Sequence, residues 1–296
     1  MAAAARRRTR VLLTGADGQL GRALQACAGD RFEWLAFNRR SLDITQAAAV
    51  TAAVAGSRPD WIVNAAAYTA VDRAETDRDA AFAINAEGAA HLARAAARSG
   101  ARMAQVSTDY VFDGTAARPY RPDDTTGPLN VYGSSKLAGE TFTRDILGDR
   151  ALIVRTSWVY AAEGHNFLRT MLKLLRERDT LRVVEDQIGT PTHAASLAAA
   201  VVASIEHQGS GIHHWTDAGV ASWYDFAVAI QEEALRNGFD VAGCRVEPIP
   251  TREYPTPAAR PPCSLLDKDS LRALTGNDGR HWREELRLSF KALGPA

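Results

Sequence analysis

Short apolar runs alternate with longer alanine-rich or amphipathic runs along the first half of the chain. Apolar runs of this length, bounded by turn residues, are typical of buried parallel strands, and the longer runs between them are typical of helices. The alternation predicts an α/β fold with a doubly wound parallel sheet that is covered by helices on both faces. The predicted strands are Val11–Thr14, Phe32–Phe37, Trp61–Asn64, Met103–Ser107, Leu152–Thr156, Leu181–Val184 and Ile212–Trp215.

The longer runs predict helices at Thr76–Ser99 and Pro191–Glu206. Beyond Trp215 the pattern changes to loops and helices, with an amphipathic helix expected at Ser222–Asn237. Pro248–Pro262 is rich in proline, so it is expected to form an irregular connection rather than a long regular element. This change of pattern predicts a second, smaller C-terminal lobe.

Composition and charge exclude several classes of function. The 296 residues carry a formal net charge of zero, so no nucleic-acid partner is expected, and the Arg6–Arg8 cluster is interpreted as a solvated tail. Met1–Arg8 is not followed by the apolar core of a signal peptide, and no run approaches the ~20 apolar residues of a membrane span. We therefore expect a cytoplasmic protein with no membrane partner.

Neither the cysteines nor the one histidine pair indicates a metal site. Cys27, Cys244 and Cys263 are widely separated, which favours neither a disulfide framework nor a zinc site. His213 and His214 are adjacent in a predicted strand, so their side chains point to opposite faces and are interpreted as structural.

A glycine-rich turn follows the first predicted strand. Residues 15–21 read Gly-Ala-Asp-Gly-Gln-Leu-Gly and lead directly into a helical run. Gly15 permits the tight turn, Gly18 lets backbone N–H groups approach a pyrophosphate, and Gly21 lets the helix pack close to the strand. The order of strand, glycine turn and helix predicts dinucleotide binding by a Rossmann-type sheet.

The residues after the second strand indicate which dinucleotide is bound. An acidic residue there would bind the ribose hydroxyls of NAD, whereas this chain has Asn38-Arg39-Arg40, which suits a 2′-phosphate. NADPH is therefore the expected donor, with NADH as the alternative. Asp43 has two interpretations that the sequence leaves open: it reaches the adenine amino group, or it caps a helix that begins at Thr45.

Tyr132 and Lys136 supply candidate proton chemistry. Residues four apart lie on one face of a helix, so a Lys136 ammonium below the Tyr132 phenol would favour the phenolate and lower the phenol pKa. Thr108, just past a predicted strand, adds a hydroxyl that can hold a carbonyl oxygen beside Tyr132. Such a pair also occurs by chance as an exposed Tyr stacked on a Lys stem. Together with the dinucleotide turn it predicts a site for proton-donating carbonyl reduction.

Six ordered blocks of sequence resemble the dTDP-4-dehydrorhamnose reductase family, which belongs to the extended short-chain dehydrogenases/reductases. The resemblance covers nearly the whole chain, and its blocks are residues 14–21, 64–72, 107–114, 131–140, 155–160 and 184–192. It implies NADPH-dependent reduction of the C4 ketone of dTDP-4-dehydro-L-rhamnose to dTDP-L-rhamnose, with Tyr132 donating the proton. It also implies that residues 1–157 and 183–213 form the NADPH-binding domain, and that 158–182 and 214–296 form the sugar-nucleotide lobe.

The resemblance and the motifs together give a set of expected site residues. The expected catalytic residues are Tyr132, Lys136 and Thr108. The expected cofactor-binding residues are Gly15, Gly18, Gln19, Leu20, Gly21, Asn38, Arg39, Asp43, Ile44, Ala65, Ala66, Ala67, Tyr132 and Lys136. The expected substrate-binding residues are Thr69, Thr108, Tyr110, Trp158, Asn166 and Arg260.

Some of these positions have alternative interpretations. Tyr110 could be a core aromatic beside Phe112, because alternate residues of an extended segment share a face. Ala65–Ala67 could be incidental alanines near a helix cap.

The resemblance also bears on metal binding and on the oligomeric state. Some members of the resembling family form dimers around a magnesium ion held by acidic side chains, and the candidate remnants of such a site here are Glu185 and Asp186, with Glu284 or Glu285. Scattered acids are more often exposed to solvent, so we assign no metal site and expect a monomer or a homodimer.

Two other functions remain open. The chain could reduce another 4-keto-6-deoxy sugar nucleotide. It could also be a non-catalytic subunit that resembles the beta subunit of methionine adenosyltransferase, although the intact Tyr132, Lys136 and Thr108 argue against this.

Overall fold

The computed structural model describes residues 7–27 and 29–293, so Arg6 of the basic cluster lies outside the described residues. The described chain folds as alternating strands and helices. The strands are β1 Thr9–Thr14, β2 Phe32–Phe37, β3 Trp61–Asn64, β4 Arg102–Thr108, β5 Ala151–Thr156, β6 Val159–Tyr160, β7 Thr180–Val184, β8 Ile188–Gly189, β9 Thr192–His193, β10 Gly211–His214, β11 Ala221–Ser222 and β12 Arg245–Ile249. The α-helices are α1 Gln19–Cys27, α2 Ala47–Ser57, α3 Val71–Ala74, α4 Arg78–Phe82, α5 Gly88–Ser99, α6 Val131–Leu147, α7 Phe167–Glu177, α8 Ala194–Glu206, α9 Trp223–Arg236, α10 Asp269–Thr275 and α11 Trp282–Leu293.

A six-stranded sheet forms the centre of the first lobe, in the order β10-β5-β4-β3-β1-β2. All of its strand pairs are parallel. Successive side chains of β1 enter two different hydrophobic clusters: Leu13 packs with Leu24 of α1 and Leu197 of α8, whereas Leu12 packs with Val50 of α2 and Leu92 of α5. The sheet is thus covered on both faces, which confirms the predicted doubly wound α/β fold.

The predicted strand at Leu181–Val184 forms as β7, but it does not join the six-stranded sheet. It pairs in parallel with β12, and Pro248 of β12 lies in register with Val183. The residues around this pair have a hydrophobic core of their own, which includes Tyr160, Leu172 and Phe226. This core supports a second lobe. The expected division between residues 182 and 183 falls within β7, and the division stays a prediction.

The run Thr76–Ser99 is interrupted, although it was predicted as one helix. Helices α4 and α5 are separated by a π-helical turn at Ala83–Glu87. Within it, the buried Asn85 side chain accepts from Tyr68 N at 2.8 Å and donates to Ser135 Oγ at 2.9 Å. The extra residue of a π-turn lets one side chain be redirected. Here it ties the segment after β3 to helix α6.

The other two predicted helices form with small changes at their ends. Ser222 caps α9: its Oγ accepts from Asp225 N, and the Asp225 carboxylate accepts from Ser222 N, so the pair forms a capping box. Helix α8 starts at Ala194 instead of Pro191, because Thr192–His193 pairs with β6 as β9.

Helix α6 is anchored to the sheet by a buried ion pair. Glu140 of α6 binds Arg155 of β5 through both carboxylate oxygens, with Nη2···Oε2 at 2.7 Å and Nε···Oε1 at 2.9 Å. Both side chains are at most 3% exposed. Burial, together with the charge of Arg155, lowers the pKa of the nearby His214 to about 3. His213 and His214 bind Ser270 and the Tyr120 carbonyl, so both have structural partners, as expected.

Candidate active site

A cavity of about 810 Å³ lies at the carboxyl ends of β1 to β5, which is where doubly wound sheets bind ligands. Its volume is within the usual range for a small-molecule site. Gly21 and Arg260 are the predicted site residues that do not line it. Those that do are Gly15, Gly18, Gln19, Leu20, Asn38, Arg39, Asp43, Ile44, Ala65, Ala66, Ala67, Thr69, Thr108, Tyr110, Tyr132, Lys136, Trp158 and Asn166.

The glycine turn is too tightly packed for side chains. Gly15 has φ +70°, and a Cβ there would lie 2.6 Å from backbone atoms of Ala65 and Ala66. A Cβ on Gly21 would lie 2.2 Å from the Gly15 carbonyl oxygen. Gly21 is therefore the packing residue that the motif predicted, because it lets α1 start directly against the turn. Ala65 and Ala66 meet the same turn from β3, which agrees with a need for small residues there.

The end of β2 forms a polar rim of the cavity. Asn38 Oδ1 accepts from the backbone N–H groups of Arg40 and Ser41 at 3.0 Å, and the side chains of Arg39 and Arg40 are exposed. Arg39 lines the cavity, whereas Arg40 does not. Asp43 accepts from the backbone and hydroxyl of Thr45, and these bonds lower its pKa. Since α2 begins at Ala47, the interpretation of Asp43 as a cap of a helix beginning at Thr45 is wrong.

Tyr132 and Lys136 lie in the first turns of α6, and Thr108 ends β4. Asn130 caps this helix by accepting from Gly133 N at 2.8 Å, and its Nδ2 donates to the Ala259 carbonyl. Lys136 is 3% exposed and its Nζ donates to the Val106 carbonyl at 2.6 Å. The structure therefore brings the three predicted catalytic residues to one wall of the cavity.

The pKa values of Tyr132 and Lys136 differ from the expectation. Burial raises the pKa of Tyr132 to about 12, although a hydrogen bond with Thr108 opposes this, and burial lowers the pKa of Lys136 to about 8. The expected lowering of the Tyr132 pKa by Lys136 is therefore not present in this arrangement. The physical reason is that burial disfavours the phenolate, while the Lys136 ammonium is directed at the Val106 carbonyl.

Asp109 is a buried carboxyl beside the catalytic residues that sequence reasoning did not select. It accepts a hydrogen bond from Thr108 Oγ1 at 3.0 Å, and Tyr110 N donates to the same Thr108 oxygen at 3.2 Å. Burial raises the pKa of Asp109 to about 6. Thr108 thus directs its only hydroxyl proton at Asp109, and because Tyr110 N occupies one lone pair, one lone pair remains for another donor.

Tyr110 faces the cavity instead of the core. Its ring meets that of Tyr132 edge to face at a centroid distance of 5.6 Å, whereas the fully buried Phe112 stacks on Tyr120. The interpretation of Tyr110 as a core partner of Phe112 is therefore wrong. Burial raises the pKa of Tyr110, so it remains a neutral phenol at the cavity wall.

Asn166 and Arg260 are held by protein partners. Asn166 caps α7, and its Nδ2 donates to Gln19 Oε1 at 2.8 Å, which links the glycine turn to the second lobe. The Arg260 guanidinium forms a two-point ion pair with Asp72, at 2.8 Å and 3.0 Å. Contact of either residue with a nucleotide diphosphate stays a prediction.

Sequence reasoning missed Trp223, which lines the cavity beside Trp158. The two indoles are stacked at a centroid distance of 3.6 Å and an interplanar angle of 9°. Trp223 is the first residue of α9, 65 positions from Trp158. No local sequence pattern links Trp158 to Trp223. The capping box at Ser222 indicates that a helix starts there, but it does not indicate which residue Trp223 contacts.

Of the four acidic side chains considered for a metal, Glu185 and Glu284 are exposed, and the other two have protein partners. Glu285 binds His193 Nδ1 at 3.0 Å, and Asp186 accepts from the backbone and hydroxyl of Thr251. Within residues 7–27 and 29–293, no cluster of three or more His, Cys, Asp or Glu side chains is arranged to hold a metal ion. No helix in the same ranges is long and apolar enough to cross a membrane.

Several known proteins are similar to this chain over almost its full length, in sequence and in structure. A dTDP-4-dehydrorhamnose reductase of Burkholderia thailandensis is 41% identical, with 96% of this chain and 99% of that protein covered. A dTDP-4-keto-6-deoxy-D-glucose reductase of Streptomyces niveus is also 41% identical, with 96% and 97% covered. The crystal structure of a Bacillus anthracis dTDP-4-dehydrorhamnose reductase in complex with NADP has a TM-score of 0.91 at 38% identity, with 97% and 100% covered. The RmlD substrate binding domain model matches residues 9–294, and the chain therefore belongs to that family.

Proposed function

We propose that the protein reduces the C4 ketone of dTDP-4-dehydro-L-rhamnose with NADPH, giving dTDP-L-rhamnose. The observation that carries this proposal is the position of Tyr132, Lys136 and Thr108 on one wall of the cavity that also contains the glycine turn. The similarity to reductases named for this reaction supports the substrate class. A binding subunit without catalysis would have no need for a buried tyrosine and lysine side by side at such a cavity.

The cavity fits a dinucleotide. The close packing of Gly15 against Ala65 leaves no space for a side chain at Gly15. The first N–H groups of α1 have no partner within the helix and would bind the diphosphate. Asn38 and Arg39 would hold the phosphorylated ribose, and Ala67 and Lys136 would lie along the nicotinamide half. When bound, NADPH supplies the hydride for the carbonyl carbon.

The side chains of this chain would handle the proton. Tyr132, kept neutral by its raised pKa, would donate the phenol proton to the oxygen of the reduced carbonyl. The Lys136 ammonium would stabilise the phenolate that remains, which matters more in a buried site than in water. Thr108 would hold the reacting oxygen beside Tyr132, for which its hydroxyl proton turns from Asp109 to the substrate.

A reductase of another 4-keto-6-deoxy sugar nucleotide is a second candidate, because the Streptomyces niveus relative carries such a name at the same identity. The same catalytic groups would serve both reactions, and only the sugar pocket would differ. Because NADPH and sugar nucleotides are soluble metabolites of the cell interior, we place the reaction in the cytoplasm. We propose that the protein works there as a monomer or a homodimer.

The test is to incubate the purified protein with NADPH and dTDP-4-dehydro-L-rhamnose, and in parallel with dTDP-4-keto-6-deoxy-D-glucose. NADPH oxidation is followed by absorbance and each product by NMR. We expect dTDP-L-rhamnose from the first substrate at the higher kcat/KM. A higher kcat/KM for the second would favour the alternative, and no turnover of either would reject both reductase functions.

A further inference from the structure

Trp158 is held in a backbone conformation that bulky residues avoid. Its φ is +47°, in the left-handed region, where the side chains of L-residues crowd the backbone. Such a conformation persists only when the surrounding contacts determine it. One backbone contact is clear: Thr192 N, at the start of β9, donates to the Trp158 carbonyl at 3.1 Å. The other contacts are made by the indole.

The indole of Trp158 lies against Gly189 and Trp223. A Cβ on Gly189 would be 2.6 Å from Cε2 and 2.8 Å from Cζ2 of the indole, so only glycine fits there. Trp223 stacks on the same ring at 3.6 Å. Strand β8, which contains Gly189, pairs with β11, which ends one residue before Trp223. A single two-stranded ladder therefore supplies both contacts.

Trp223 is itself firmly placed. Its ring packs on Phe167 of α7 at a centroid distance of 4.7 Å, and Phe167 stacks on Phe226 in the core of the second lobe. The capping box at Ser222 fixes the helix start on which Trp223 stands. Both tryptophans are only partly buried, and both line the cavity that contains Tyr132.

We propose that Trp223 is a positioning residue for sugar recognition: by stacking on Trp158, it holds the Trp158 indole as the apolar wall for the deoxysugar ring. This inference rests on the proposed function. Trp223 acts through Trp158, so its contribution depends on the presence of the Trp158 ring. Gly189 contributes by leaving the space that the ring needs.

The test compares Trp223→Ala, Trp158→Ala and the double variant, each saturated with NADPH. We expect Trp223→Ala to raise KM for the keto-sugar nucleotide about tenfold or more, as the loss of a well-fitted apolar contact does, while KM for NADPH stays constant. In the Trp158→Ala background, Trp223→Ala should then have little further effect, because contacts that act through one ring are not additive. Trp223→Phe, which keeps a stacking ring, should restore most of the affinity.

Trp34→Phe is the matched control, since Trp34 lies on β2 and does not line the cavity; it should leave KM unchanged. A second readout is the affinity for dTDP-L-rhamnose and for dTDP alone, each measured by calorimetry. Trp223→Ala should weaken the binding of dTDP-L-rhamnose and leave the binding of dTDP unchanged. Equal weakening of both ligands, an unchanged KM in Trp223→Ala, or full additivity with Trp158→Ala would overturn the positioning role. If the wild type reduces no 4-keto-6-deoxy sugar nucleotide, the proposed function is what fails, and the sugar contact fails with it.

Discussion

The two walls of the cavity are built in different ways. On the first wall, Gly15, Asn38, Ala65 and Thr108 each lie at or directly after the end of a parallel strand. Their positions follow from the sheet itself, because the carboxyl ends of parallel strands meet along one edge. On a second wall, Trp158 and Trp223 meet through contacts between segments 65 residues apart.

The difference shows which parts of a site can be inferred from local patterns. In the proposed mechanism, hydride and proton transfer depend on the first wall, where a motif and its neighbouring strand determine the geometry. Substrate choice is proposed to depend on the second wall, where the geometry comes from packing around Trp158 and Trp223. Changes in the first wall should therefore affect kcat and cofactor binding, and changes in the second should affect the KM for the sugar.

The largest effect is expected on the first wall. Tyr132→Phe removes the proposed proton donor without changing the shape of the ring, so kcat should fall by at least about 100-fold. Binding of NADPH, measured by fluorescence titration, should be nearly unchanged. Steady-state kinetics at saturating substrate check the prediction. An unaltered kcat would exclude Tyr132 as the proton donor and would leave the first wall with cofactor binding alone.

A smaller effect is expected at the polar rim of the same wall. If Arg39 or Arg40 holds the 2′-phosphate, replacing both with Ala should raise KM for NADPH and leave KM for NADH about constant. Loss of a hydrogen bond to a charged group costs about 1.5–3 kcal/mol. The ratio of the two KM values is the measurement. Equal changes for both cofactors would mean that the arginines only shape the loop.

A third prediction concerns the pH dependence of stability at Asp217. Asp217 is fully buried, its carboxylate accepts from His193 N at 2.8 Å, and burial raises its pKa to about 7. The folded state therefore keeps a proton that the unfolded state, with a pKa of about 4, has released. The contribution of Asp217 to the free energy of unfolding is fully present below pH ~4. It falls as the pH rises toward 7, by at most about 1.4 kcal/mol per pH unit.

Asp217→Asn cannot ionise and keeps an acceptor for His193 N. The free energy of unfolding, from urea titrations between pH 4.5 and 7.5, should therefore vary less with pH in this variant than in the wild type. The exposed Asp240, replaced by Asn, serves as the control and should leave the slope unchanged. Identical slopes in Asp217→Asn and the wild type would contradict the raised pKa.

Local hydrophobic patterns predicted the fold of the first lobe well, because its strands are short apolar runs that pair in parallel within one sheet. They also identified Gly15 and Gly21, whose packing leaves no space for a Cβ. The partner of β7 could not be predicted, because pairing with β12 joins segments that are far apart in the chain.

Three features could not be predicted from the sequence, because each depends on contacts between distant segments or on burial. Trp223 reaches the cavity only because β11 pairs with β8. The π-turn around Asn85 depends on partners in two other segments. The raised pKa of Tyr132 depends on burial, which no single motif encodes.

The proposed reaction requires direct transfer of hydride from NADPH to C4 of the sugar, and isotope labelling follows this transfer. NADPH that carries deuterium at C4 on the transferred position is incubated with the protein and dTDP-4-dehydro-L-rhamnose, and the product is analysed by NMR. We predict one deuterium at C4 of the rhamnose ring, in a single configuration. Product without deuterium at C4, or no product in the presence of bound NADPH, would contradict the account.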